Sequence, residues 1–99
     1  SLHDALPIYP KFLPTEICRE AAQYGHLEVL KYLRSREAQW SESVCWAAAE
    51  GDHLAVLQWC RQNGAPWSTA VVANARSVEL LQWALDHGVP LLGNERKKN

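Results

Sequence analysis

The stretch CREAAQYGHLEVLKYLRSREAQW, residues 18–40, returns as CWAAAEGDHLAVLQWCRQNGAPW, residues 45–67. Cys18 falls on Cys45, Ala21 and Ala22 on Ala48 and Ala49, His26 and Leu27 on His53 and Leu54, and Trp40 on Trp67. The offset is constant (45 − 18 = 27). A third, shorter copy, VELLQWALDHGVPL at 78–91, matches 54–67 at an offset of 78 − 54 = 24, with three residues missing between Arg76 and Ser77. A fixed period of roughly 20–50 residues marks a chain that stacks copies of one small unit, because no single unit buries its own apolar face. The three units are 15–40, 41–67 and 68–91. Residues 9–14, with two prolines and two aromatics, read as an extended lead-in, and 92–99 as a polar tail.

Within each copy the apolar residues follow helical spacing. Ile17, Cys18, Ala21 and Ala22 share one face of a helix over 16–24. Leu27, Val29, Leu30 and Leu33 share one face of a second over 27–36. The same reading gives helices over 42–50, 54–62, 70–75 and 78–87. Thr15, Ser41, Ser68 and Thr69 are suited to open these helices. Gly64, Gly88 and the following prolines close them. Glu37 stands where the second copy has Gly64, which predicts a less favourable or differently shaped turn in the first copy. The fold class is therefore all-α, a solenoid of about three helix–turn–helix units.

Residues 21–33, AAQYGHLEVLKYL, and 48–60, AAEGDHLAVLQWC, resemble the centre of an ankyrin repeat. That family pattern is two small residues, a two-residue spacer, Gly-His, and a Leu-Glu-Val-Val run leading to a Gly-Ala turn, matched here by Gly64 and Ala65. The resemblance covers 15–91. Ankyrin repeats run to about 33 residues, and this period is shorter, with the shortfall where the family carries its β-hairpin. The resemblance thus implies divergent helix pairs with short or absent hairpins. It also implies a protein-binding role, with first helices and inter-repeat turns lining a concave face. On that register the contact residues are Arg19, Gln23, Ser43, Trp46 and Glu50. Trp46 is the aromatic among them, standing where the other copies have Arg19 and Ala73.

Residues 1–8, SLHDALPI, resemble one reading frame of a sequencing adapter. They read as a non-native or disordered leader, set aside from fold reasoning. The open ends of the first and last copies suggest a fragment of a longer ankyrin-repeat array. They also suggest self-association through those ends. The alternative to a binding module is a structural spacer beside a functional domain.

The chemistry-bearing residues form no constellation. His26 and His53 are repeat equivalents one step apart, too far to share a metal ion whose ligands each sit about 2 Å away; they read instead as capping the turns into the second helices. There is no HExxH, P-loop, GxGxxG or GxSxG pattern. The expectation is a non-enzyme with no cofactor and no metal. A net charge of −1 over 99 residues argues against a nucleic-acid partner. No apolar run approaches the roughly 20 residues that span a bilayer. Cys18, Cys45 and Cys60 lack CxxC spacing and read as small buried hydrophobes in a reducing, intracellular and cytoplasmic setting. Five tryptophans are many for this length. Tyr32, Trp59 and Trp83 share one repeat position, and Trp40 and Trp67 another, which predicts an aromatic ladder joining copy to copy.

Overall fold

The computed structural model describes residues 15–91. The readings of 1–8 and 9–14 as leader and lead-in, and of 92–99 as a polar tail, lie outside the described residues. Six helices follow one another: α1 Thr15–Gln23, α2 Leu27–Ser35, α3 Ser43–Glu50, α4 Leu54–Gln62, α5 Ala70–Asn74 and α6 Val78–Asp86. No strand occurs among the described residues. The molecule is all-helical, and each sequence-predicted helix is present within a residue or two at each end.

Packing is set by side-chain size. The first helices lie closest together, α1 on α3 and α3 on α5. Ala21, Ala22, Ala47, Ala48 and Ala49 are buried between them with Cys18 and Cys45. These small side chains let the helices approach closely. Each first helix also packs on its own second helix, α1 on α2, α3 on α4 and α5 on α6. Leu30, Leu57 and Leu80 are fully buried and fill the wider space beneath the second helices. Burying each contributes about 1.5–3 kcal/mol.

Five of the six helix ends share one solution. His26 N–H bonds the Ala21 carbonyl and Gly25 N–H the Ala22 carbonyl; the same paired bonds end α2 at Leu33 and Arg34, α3 at Ala48 and Ala49, α4 at Cys60 and Arg61, and α6 at Ala84 and Leu85. This double closure needs a residue at positive φ one place past the cap. Gly25, Glu37, Asp52, Gly64 and Gly88 occupy it. The residue after the second-helix turn then folds inward, so Ala38, Ala65 and Val89 are buried. The turn at Glu37 has the same shape as that at Gly64. The difference between them is the cost of a side chain at φ 67°.

The cap expectations need amendment. Ser41 acts one residue earlier than a cap: its Oγ accepts from Ser43 N–H at 3.2 Å, and Ser68 Oγ accepts from Ala70 N–H at 3.2 Å in the matching place. His26 and His53 occupy the N-cap positions of α2 and α4 but make no side-chain cap hydrogen bond. The His53 ring instead reaches across to the preceding copy. Its atoms stand 2.6–2.9 Å from where a Cβ at Gly25 would be, and its Cδ2 is 2.7 Å from a Cβ at Gly51. His53 is thus packed between two turns, not bonded to its own.

Candidate functional site

The five candidate residues fall on the first helices, Arg19 and Gln23 on α1, Ser43, Trp46 and Glu50 on α3. All five are half-buried. Arg19 and Trp46 hold equivalent positions on two helices packed side by side, as do Gln23 and Glu50 (27 apart in each case). Trp46 packs against the core while remaining partly open. Ser43 is less available than its register suggested, because its hydroxyl is hydrogen-bonded to Ser41 Oγ at 2.9 Å.

The second-helix side carries a repeated arrangement that the sequence did not reveal. The Arg34 guanidinium donates to the Ala38 carbonyl at 2.6 Å and lies 4.2 Å over the Trp40 ring. Arg61 donates to the Ala65 carbonyl at 2.5 Å and lies 4.4 Å over Trp67. Each clamped tryptophan then meets the next copy edge-on, Trp40 with Trp59 at 5.7 Å and Trp67 with Trp83 at 6.1 Å. The expected aromatic ladder is therefore two separate inter-copy pairs of unlike position. Tyr32, which shares the position of Trp59 and Trp83, is 54% exposed and has no such partner among the described residues. In the last copy Leu85 and Leu91 replace the Arg–Trp clamp. There His87 stacks on Trp83 at 4.1 Å, its Nδ1 2.8 Å from the Trp83 carbonyl. Only the fixed spacing from Arg34 to Trp40 and from Arg61 to Trp67 signalled the clamp.

Two surface grooves lie among the described residues. One, of about 360 Å³, is lined by Ile17, Tyr24, His26, Val29 and Leu33 on the open side of the first copy. The other, of about 410 Å³, lies between α4 and α6 beside Arg61, Gln62, Trp83 and His87. Neither contains a nucleophile paired with a base.

Cys18, Cys45 and Cys60 are fully buried and unbridged. A hydrogen bond shared with Cys45, reinforced by burial, pushes the Cys60 thiol up. Burial raises the Cys18 thiol, and the Arg34 charge offsets part of that rise. Cys18 and Cys60 are held protonated at neutral pH, and all three side chains serve as packing groups. No group of three His, Cys, Asp or Glu side chains among the described residues is placed to hold a metal ion. No described helix is long and apolar enough to cross a membrane.

Comparison with protein-family models, with curated proteins and with solved structures finds no match to this chain.

Proposed function

We propose that residues 15–91 are three stacked, ankyrin-like helix pairs acting as a non-enzymatic protein-binding module, with the first-helix row as the contact surface. The observation that carries this reading is the pairing of Arg19 with Trp46, and of Gln23 with Glu50, on helices held together through buried alanines. Arginine and tryptophan are the side chains that most often anchor interfaces, and anchors work best when already held in place. Trp46 meets that condition, since it is packed against the core. The row is also acidic: α1 and α3 carry Glu16, Glu20 and Glu50, with Glu42 at the cap of α3, against the single arginine Arg19. A partner segment bearing lysine or arginine complements it. Three unbridged thiols in the core suit a reducing compartment.

The competing role is a structural spacer whose row is mere surface. A random-peptide display library panned on the chain separates the two. A binding row enriches peptides whose affinity falls at least about tenfold in W46A or R19Q, the loss expected of an interface anchor. Far-UV circular dichroism establishes that each variant keeps its helices. A library that enriches nothing, or only peptides indifferent to both substitutions, leaves the spacer.

A further inference from the structure

Equivalent positions in the three copies report which face each neighbour covers. Val29, Val56 and Leu80 occupy one position; Val29 is 50% exposed, while Val56 is 2% and Leu80 0%. That position is covered by the copy before it, and in the first copy it lies open. Leu30, Leu57 and Leu81 occupy another; the first two are fully buried and Leu81 is partly open. That position is covered by the copy after it. Val78 beside it is 80% exposed, whereas its equivalents Leu27 and Leu54 are half-buried. The two ends of the row therefore present the two halves of the same internal interface.

Both ends depart from the internal pattern, and the departures match. Within the molecule, the turn opening α4 approaches α1 so closely that a Cβ at Gly51 would stand 2.1 Å from the Gln23 carbonyl oxygen. In the first copy Tyr24 holds the Gly51 position, so a preceding copy with an ordinary turn collides with it. The last copy is not ordinary. The three residues missing between Arg76 and Ser77 are the counterparts of Glu50, Gly51 and Asp52. Glu50 is the counterpart of Gln23, so the colliding carbonyl has no equivalent there. The chain instead turns through Ala75 in extended backbone. Tyr24, 61% exposed, is a knob, and the shortened turn leaves the space for it. At the outer edge, Leu91 replaces the tryptophan that would meet Tyr32, and Leu85 replaces the arginine that would clamp it. Apolar surface thus faces apolar surface.

We propose that the open side of the first copy binds the open side of the last copy in a second molecule, head to tail. This surface is distinct from the first-helix row. Such an interface uses different patches on the two partners, so it leaves one free end of each kind and extends along a line.

The experiment uses the full chain and two substitutions, V29D and V78D. Both residues lie in the first turn of a helix, where an acidic side chain is favourable, and both are exposed, so the helices form as before. Sedimentation velocity across a concentration series up to millimolar should show mass growing without a fixed end point. V29D alone and V78D alone should each remain monomeric, because each lacks one half of the interface. Mixed together they should form a 1:1 dimer that grows no further, since only one pair of intact faces exists. A wild-type chain that stays monomeric throughout overturns the proposal. So does a single variant that still associates, or a mixture that stays monomeric.

Discussion

At the scale of single residues, glycine placement is governed by neighbours as much as by backbone angle. The second copy carries Gly51-Asp52 where the first has Tyr24-Gly25. The positive-φ position is the second of each pair, held by Gly25 and by Asp52 at φ 61°. Aspartate tolerates that conformation better than most side chains. Gly51 itself sits at an ordinary φ of −83°. It is glycine because any Cβ would strike the Gln23 carbonyl. That oxygen belongs to backbone at the end of α1 and moves only if α1 and α3 separate. G51A should therefore cost more than about 2 kcal/mol, the range of a forced overpacking, although alanine is the better helix former. Urea unfolding of the variant checks this. A loss below about 0.5 kcal/mol, the level of an ordinary surface change, would mean that the two turns are not in contact.

At the scale of elements, five of the six helix ends repeat the same pair of backbone bonds, and the chain fills the positive-φ place in each of the five. Four are filled by glycine or aspartate and one by Glu37. A Cβ at Gly64 or Gly88 would meet nothing within 4 Å. The cost at Glu37 is thus conformational, not a matter of space. E37G should stabilise the protein by about 1 kcal/mol, the penalty of a left-handed residue, less the entropy glycine regains on unfolding. A thermal or urea midpoint that falls in E37G would contradict it. Helix positions were legible from apolar spacing, because it is local and recurs in register. So were the buried alanine pairs and the buried cysteines. The role of His53 was not, since it depends on a group from the preceding copy, and the Arg34 and Arg61 clamps were signalled only by their fixed spacing to Trp40 and Trp67. The capping role expected of His53 failed for that reason: its ring packs against Gly25 and Gly51 and makes no cap hydrogen bond. Arg19, Gln23, Trp46 and Glu50 fell on the first helices as expected. The engagement of Ser43 by Ser41 was hidden by the one-residue shift in where α3 begins.

At the scale of the whole molecule, the core is built around three buried thiols on α1, α3 and α4. Burial holds the Cys18 thiol, and a hydrogen bond with Cys45 together with burial holds the Cys60 thiol, above the ordinary thiol range. In the unfolded chain they return to that ordinary range. Below about pH 8 both states are protonated, and these groups give no pH dependence. Above 9.0 the unfolded chain loses protons that the folded one keeps, so the folded state binds more protons and stability falls as pH rises. Each thiol contributes a slope of up to about 1.4 kcal/mol per pH unit. The decline continues until the pH reaches the raised values. Urea midpoints measured at pH 7, 8.5 and 10 should be level over the first interval and drop over the second. Tyrosines and lysines also titrate there, so the comparison is with a C18A C60A variant, whose baseline stability is lower but whose alkaline decline should be shallower. Equal slopes in the two chains would mean that the thiols are hydrated in the folded state. The burial of Cys18 and Cys60 between the helices would then be wrong, and with it the close approach of α1 to α3 on which the first-helix row depends.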